Sequence, residues 1–374
     1  MRSRASWRNE TTSRERARPN PFRTTFHWNL APGGARLELD ADHGAPAVAV
    51  PVLPLLLTGG AGTGGRATLD AIARHAAGER WAIARLDARS GCPMRPRVAD
   101  AFDRAVETIV HAHTDDAAIA RMRAIVGSFR TSVEADELAY APVLGALASV
   151  VGEAGWGILL VVHDLHAARR GESEALLAAA AAVMAYNAGF RAIVSATHRS
   201  SVATEGATRD AWTELPLLLT AATLADVLDR AAARDDRRFT PDAIDALLRA
   251  SGGVAELALA HAATAWDSTQ AAAITADRVA VAGERAEAAF TSALRAAYST
   301  QLSLGQRRYL RAVLAHGESG ADLDQVAQEL TDVTRFGLSE AMLDTVLVAL
   351  VQHGLLFVHD GRARVAVPGL SRIL

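Results

Sequence analysis

The sequence predicts an α/β protein of successive parts, and three observations support this prediction. Short apolar runs alternate with helical patterns from about residue 45 to residue 220, which is typical of a three-layer core with a parallel sheet. After Thr220 the strand patterns stop and helical patterns follow. From about Leu302, three helical patterns precede two strand patterns that meet at Asp360-Gly361, a pair typical of a hairpin turn. Three helices and a hairpin in this order describe a winged helix.

Five apolar runs are predicted to form the strands of the parallel sheet. They are residues 50–58, 81–88, 157–164, 190–197 and 214–219. The helices predicted between them are residues 66–77, 98–126, 141–155 and 171–187. Ligands of open parallel sheets bind at the carboxyl ends of the strands. We therefore expect the glycine-rich segment after residue 58, His163-Asp164 and Ser195-Ala196-Thr197 to lie at one edge.

These patterns divide the chain into four segments. They are an irregular, arginine-rich N-terminal segment (residues 1–44), the α/β core (45–220), a helical part with its connector (221–300) and the winged-helix domain (301–374). In the helical part, Thr240-Pro241 is a favourable start for a helix and Gly252-Gly253 a favourable end. Residues 276–298 have the pattern of one long helix.

Composition narrows the classes of function. The 39 basic and 42 acidic residues give a formal net charge of −3, which favours neither a nucleic-acid coat nor an acidic tail. A single cysteine, Cys92, excludes an intramolecular disulfide and a cysteine-cluster metal site, which fits a cytoplasmic protein. Apolar stretches fall short of the ~20 residues that a helix needs to cross a bilayer, so no membrane role is expected.

A glycine-rich turn between the first strand and the first helix is the strongest signal of chemistry. The segment LLLTGGAGTGGR (55–66) has the glycine spacing of the phosphate-binding pattern G-x-x-x-x-G-K-[S/T]. Backbone N–H groups of such a loop, at the N-terminus of a helix, can hold phosphate groups. The lysine position is Gly65 and the hydroxyl position is Arg66, whereas a one-residue slip moves them to Arg66 and Ala67. The residues expected to bind phosphate are Gly59, Gly60, Gly62, Thr63, Gly64, Gly65, Arg66 and Ala67.

The order of the segments resembles the AAA+/STAND class of P-loop ATPases, in particular bacterial and archaeal ATP-binding proteins with an origin-recognition-like core, a helical lid and a C-terminal winged helix. The segments that carry the resemblance are NPF (20–22), LLLTGGAGTGG (55–65) for the Walker A loop, GILLVVHDLH (157–166) for the Walker B strand, ASGGVAELAL (250–259) for the lid, and LSLGQRRYLRAVLAHG (302–317) with LVQHGLLFVHDGRARVAVP (350–368) for the winged helix. The resemblance implies that the bound cofactor is ATP or ADP.

The chain departs from this family at the positions that serve hydrolysis. Neither register of the loop supplies both the lysine and the hydroxyl group. In the Walker B strand, His163 stands at the first acidic position, and histidine is a poor ligand for Mg²⁺, which prefers oxygen. Asp164 remains as the candidate catalytic residue, to assist a metal ion or to orient water. A strong contribution from Mg²⁺ is therefore not expected.

Two further patterns have weaker functional interpretations. His163 and His166 lack the additional ligands that a zinc site needs, so no metal site is predicted. The recognition helix of the winged helix, Leu338–His353, contains no arginine, although DNA-reading helices normally bring basic residues to the phosphates. Arg335 and the wing arginines remain as backbone contacts. A protein partner is therefore favoured over DNA.

Three functions stay open at this point. The first is a nucleotide-responsive switch with weak or no turnover. The second is a pseudo-ATPase that serves, without nucleotide, as a scaffold for protein contacts. The third is a winged-helix regulator that binds DNA.

We expect ATP hydrolysis by the purified protein to be far below the ~10 s⁻¹ of a median enzyme. The loss of a single electrostatic group at such a site typically costs ~10²–10³ in rate, and here the lysine, the hydroxyl and one acid are replaced. A phosphate-release assay on the wild type and on Asp164→Asn checks this expectation. Turnover near the median that disappears in Asp164→Asn would contradict it.

Overall fold

The computed structural model describes most of the chain. The described residues are 25–27, 36–38, 50–60, 63–88, 92–112, 115–131, 140–202, 210–217, 220–232, 236–298, 301–332, 339–367 and 369–374. Within residues 1–44, which were predicted to be irregular, strands β1 (Thr25–His27) and β2 (Arg36–Glu38) form an antiparallel pair. The NPF motif, Gly62 of the loop and Arg335 lie outside the described residues.

A five-stranded parallel sheet forms the centre of the α/β core. Its strands are β3 (Leu55–Thr58), β4 (Trp81–Asp87), β5 (Gly157–His163), β6 (Phe190–Ala196) and β7 (Thr213–Pro216). Their order across the sheet is β4-β5-β6-β3-β7, and each neighbouring pair is parallel. The predicted parallel sheet is confirmed, and the strand that leads into the glycine loop lies inside it.

Alternate side chains of the strands enter two apolar layers. On one face, residues such as Leu57 and Val161 pack against helix α1 (Gly65–Ala77) through Leu69 and Ile72. The opposite face belongs to a larger apolar cluster with four helices. These are α2 (Met94–Val110), α3 (Asp116–Thr131), α4 (Tyr140–Glu153) and α5 (Arg170–Tyr186). The core therefore has three layers, as predicted.

The single helix predicted over residues 98–126 is wrong, because the chain turns between α2 and α3. The carboxylate of Asp115 accepts hydrogen bonds from the N–H groups of Ala117 and Ala118, at 3.0 and 3.2 Å. A capping aspartate of this kind starts a new helix. The helical pattern of apolar residues continues across the break and conceals it.

Residues 221–298 are here named the helical segment, and their described part contains four helices and a short strand pair. The helices are α6 (Ala221–Ala231), α7 (Pro241–Ser251), α8 (Ala255–Asp267) and α9 (Ala276–Tyr298), and the parallel pair is β8 (Arg238–Phe239) with β9 (Ala273–Ile274). Helix α7 begins and ends where predicted, since Gly252 follows it with a φ of 58°. The Thr240 hydroxyl donates to the Ile274 carbonyl at 3.0 Å instead of capping α7.

Residues 302–374 are here named the C-terminal segment, in which the structure describes three α-helices and a small sheet. These elements are α10 (Leu304–Ala315), β10 (Ala321–Asp322), α11 (Leu323–Asp332), α12 (Glu340–Gln352), β11 (Leu356–His359) and β12 (Arg362–Val365). The predicted hairpin is present, with φ values of 50° at Asp360 and 72° at Gly361. Strand β10, which the sequence did not indicate, pairs with β12 and completes an antiparallel sheet.

The C-terminal segment packs against the carboxyl edge of the parallel sheet. The ring of His198, just beyond β6, stacks on Phe357 with ring centroids 4.7 Å apart. The Ser200 hydroxyl donates to the Val358 carbonyl. Gly354, with a φ of 69°, lies so close to His166 that a Cβ atom built on it would be 2.8 Å from Nε2. This packing places β11 beside the strand ends that were predicted to form a site.

Gly354→Ala should destabilise the protein more than Gly317→Ala. Both glycines have positive φ, 69° and 67°, but no described atom lies within 4 Å of a Cβ at Gly317. We expect the control to cost about 1–2 kcal/mol for its backbone conformation, and Gly354→Ala to cost about 1–3 kcal/mol more for overpacking. Urea denaturation of the two variants measures the difference, and equal losses would contradict the close contact with His166.

Candidate functional site

The strand ends meet at one edge because the sheet register aligns them. Asp87 at the end of β4 pairs with His163 at the end of β5, and Thr58 at the end of β3 pairs with Ala196 at the end of β6. The glycine loop follows Thr58 directly, and its Gly59 N–H donates to the Ala196 carbonyl at 3.1 Å. The predicted convergence of the loop with the ends of β5 and β6 is therefore found in the structure.

The described part of the glycine loop forms a compact turn into α1. The Thr63 hydroxyl donates to the Gly60 carbonyl at 2.8 Å, and the Thr63 N–H reaches the same oxygen at 3.2 Å. Gly64 then adopts a left-handed conformation, with φ 87° and ψ 14°, and α1 begins at Gly65. Ala67 continues this helix. The first N–H groups of a helix have no intrahelical acceptor, so they are available to an anion.

Gly65, at the lysine position of the ungapped pattern, lies against Leu217. A Cβ atom at this position would be 3.1 Å from Leu217 Cδ1 and 3.8 Å from Ser195 Cβ. A longer side chain at residue 65 therefore needs a small displacement of Leu217. The sequence pattern gave no indication of this neighbour, since Leu217 follows β7.

Arg66 forms an ion pair with Asp87. Its Nη2 lies 2.5 Å from Asp87 Oδ1, and the two side chains are 26% and 34% exposed. One turn further along α1, Asp70 pairs with Arg85 of β4 at 2.7 Å. Two ion pairs thus join the start of α1 to the end of β4. Helix α1 supplies the arginine of the first pair and the aspartate of the second. Arg66 therefore does not extend freely into solvent, since Asp87 holds its guanidinium at the edge of the sheet.

Asp164 follows β5 in a left-handed conformation, with φ 54° and ψ 43°. Its N–H donates to the Ser195 hydroxyl at 3.1 Å, which ties the ends of β5 and β6 together. Burial raises the pKa of Asp164 to about 7, while the charge of Arg66 opposes the rise and that of Asp87 adds to it. The carboxyl group is therefore partly protonated near neutral pH, which weakens it as a metal ligand.

Two buried histidines flank Asp164. Burial lowers the pKa of His163 to about 4, with a further contribution from Arg66, and burial alone lowers the pKa of His166 to about 4. Both rings are therefore neutral at physiological pH. His163 Nε2 lies 3.8 Å from Asp70 Oδ1, whereas Nδ1 of each ring has no hydrogen-bond partner among the described residues.

The residues at this edge do not fit a magnesium site. Thr68, the nearest hydroxyl on α1, donates to the Gly64 carbonyl at 3.0 Å. Position 66 holds a guanidinium, and the position before Asp164 holds a neutral histidine. Among the described residues, no three His, Cys, Asp or Glu side chains come together in a way that could hold a metal ion.

The glycine loop touches both of the other segments. The first residue of α8, Ala255, has its Cβ 4.0 Å from a Cβ built on Gly64. The backbone carbonyl of Ala366, just after β12, lies 1.8 Å from a Cβ built on Gly60. Residue 60 therefore has to be glycine for the C-terminal segment to pack as it does. A ligand in the loop would meet the helical segment and the C-terminal segment at once.

Glu256, next to Ala255, is a buried acid that the sequence pattern did not single out. It is 2% exposed, and its Oε2 has no hydrogen-bond partner in the described part of the chain. Burial raises the pKa of Glu256 to about 8. Burial raises the pKa of Tyr298 at the end of α9, and Glu256 adds to the rise, so the two groups are near each other. Glu256 is therefore protonated near neutral pH.

The strand order, the glycine loop and the helix that follows it define an α/β core of the P-loop type. Three solved structures illustrate the similarity. The Orc1 protein of Aeropyrum pernix in complex with DNA is 17% identical, with a TM-score of 0.41 and 85% of each chain covered. A Walker-type ATPase of Pyrococcus abyssi is 14% identical, with a TM-score of 0.47, and 86% of this chain and 90% of that chain are covered. The RuvB Holliday junction branch migration motor of Thermotoga maritima is 15% identical, with a TM-score of 0.39 and 86% of each chain covered.

The predicted α/β core is confirmed by the strand order of this chain and by the helix that follows its glycine loop. No protein-family model matches the chain, and no curated protein matches it in sequence. The function therefore has to be argued from the residues of this chain. In the part of the chain that the structure describes, no helix is both long and apolar enough to cross a membrane.

Glu256→Gln should remove a pH dependence of stability between about pH 4.5 and pH 8. In the unfolded chain the carboxyl titrates near its ordinary value of 4.5, and in the folded chain near 8. The folded state binds more protons across this interval, so the wild type loses stability as the pH rises through it. The variant, which has no such proton, should gain stability relative to the wild type from pH 5 to pH 8. Chemical denaturation at both pH values measures this gain, and an unchanged difference would show that Glu256 is not buried as described.

Proposed function

We propose that the chain binds the phosphates of ATP or ADP in its glycine loop and uses the occupied loop as a switch, with weak or no hydrolysis. The observation that carries this proposal is the joint position of a helix N-terminus and Arg66. The N–H groups at the start of α1 follow the left-handed Gly64, and Arg66 brings a permanent positive charge beside them. Together they offer hydrogen-bond donors and charge to a phosphate group.

The groups that surround the loop support binding more than turnover. Efficient phosphoryl transfer needs a positioned metal ion and a carboxylate that orients water. Here the metal ligands are replaced, and Asp164 is partly protonated near neutral pH because of its burial. A residual role for Asp164 in orienting water is compatible with slow hydrolysis.

The neighbours of the loop support a switch. Ala255 of the helical segment and the Ala366 carbonyl of the C-terminal segment both approach the loop. A phosphate group that alters the loop changes its contacts with both segments, and a ligand shifts a conformational equilibrium by its difference in affinity for the two states. The arrangement of α10 to α12 with the β11–β12 hairpin favours a winged-helix domain as the responding part.

The second candidate is a nucleotide-free scaffold for protein contacts. The same Ala366 carbonyl favours it, because a carbonyl oxygen repels phosphate, and so does the pairing of Arg66 with Asp87. The outer face of α12 also favours a protein partner over DNA. Met342 and Val348 are exposed there, at 52% and 54%, and apolar side chains are not suited to DNA phosphates.

Calorimetric titration with ATP and ADP tests the proposal. Arg66→Ala should weaken ATP binding about tenfold. A hydrogen bond to a charged group contributes ~1.5–3 kcal/mol, and ~1.4 kcal/mol corresponds to a tenfold change in affinity. Arg85→Ala is the matched control, since it breaks the neighbouring pair with Asp70, and it should change the affinity less than twofold. Equal binding by the wild type and Arg66→Ala would show that Arg66 is not a ligand.

Gly65→Lys combined with Arg66→Thr restores the ungapped pattern and should strengthen ATP binding and make it depend on magnesium. Leu217 has to move by a few tenths of an ångström to admit the lysine, given its 3.1 Å distance from a Cβ at residue 65. If the double variant binds ATP and the wild type does not, the scaffold is the correct function.

A further inference from the structure

The ion pair of Arg66 crosses the end of the strand that carries Asp164. Gly65, the residue before Arg66, lies against Ser195 of β6, whereas Asp87 ends β4. Strand β5 lies between β6 and β4 in the sheet, and neighbouring strands are ~4.8 Å apart. The two side chains of the ion pair together therefore bridge from the start of α1 to the end of β4, and the charge of Arg66 acts on His163 and Asp164 at the end of β5 between them.

The guanidinium of Arg66 lies between the start of α1 and Asp164, the acid after β5. In the phosphate-binding pattern, the residue at position 66 is the hydroxyl that holds a metal ion. A guanidinium at this position supplies a positive charge without a metal, and it can bind a phosphate group with two parallel hydrogen bonds. Asp87 now receives one of its N–H groups at 2.5 Å.

We propose that Asp87 competes with phosphate for the Arg66 guanidinium. Asp87 holds this guanidinium in the position of the metal ion until the phosphates of a nucleotide displace the Asp87 carboxylate. The proposal rests on the proposed nucleotide binding and adds the residue that sets its strength. Asp87 is a carboxylate, an anion like the phosphate group, and both use the same donors of Arg66. Its 34% exposure leaves the pair open to exchange.

The two ion pairs between α1 and β4 provide a matched control. Asp70 and Asp87 both pair with an arginine across the same interface, at 2.7 and 2.5 Å, and their side chains are 30% and 34% exposed. Asp87→Asn and Asp70→Asn therefore remove the same charge from nearly the same place. Asp87→Asn alone frees Arg66.

ATP titrations in EDTA test the proposal with these variants. Asp87→Asn should bind ATP about fivefold more tightly than the wild type, which is the scale of a partly exposed ion pair. Asp70→Asn should stay within twofold of the wild type, and Arg66→Ala with Asp87→Asn should lose the gain. Circular dichroism confirms folding, and Asp87→Ser serves as a second neutral variant if Asp87→Asn does not fold.

Several outcomes overturn the proposal. They are an unchanged or lower affinity of Asp87→Asn, an equal gain in Asp70→Asn, and a gain that persists without Arg66. If the wild type does not bind ATP but Asp87→Asn does, the proposed function of the natural chain fails while the competition by Asp87 stands. If neither protein binds ATP, both are overturned.

Discussion

The ion pair between Arg66 and Asp87 is the interaction on which the proposed chemistry of this protein depends. It exists because the parallel register ends β4 beside β5, while α1 starts above β6 with Arg66 in its first turn. In the proposed function, a guanidinium held in this way supplies the positive charge at the edge of the sheet. The neutral histidines and the high pKa of Asp164 agree with this arrangement, since neither group offers a strong negative charge to a metal ion.

The glycine loop is the second constraint, because three parts of the chain meet there. The core supplies the loop, the helical segment approaches Gly64 and the C-terminal segment approaches Gly60. Around this meeting point lie buried titratable groups, His166 beneath Gly354 and Glu256 at the start of α8. Such groups are costly to bury, and His166 lies where the core contacts the C-terminal segment.

The sequence predicted the elements of the fold better than the interactions of the site. Apolar runs identified the strands of the core, and Asp360-Gly361 identified the hairpin, because these signals are local. The break between α2 and α3 was missed, because the apolar pattern continues across it and only the capping by Asp115 marks the start of α3. Asp87 was missed as a site residue because its role comes from a partner 21 positions away. Leu217 and Ala366 were missed for the same reason, as their contacts with the loop arise only from tertiary packing.

The dissociation constant of ATP for the wild-type protein, measured in excess Mg²⁺ and in EDTA, shows whether Arg66 replaces a metal ion. A guanidinium is always charged, so its contribution does not depend on a divalent cation. We expect the two dissociation constants to agree within about twofold, well below the tenfold change that ~1.4 kcal/mol produces. Binding that requires Mg²⁺ would contradict it, because a metal ion would then occupy the position assigned to Arg66.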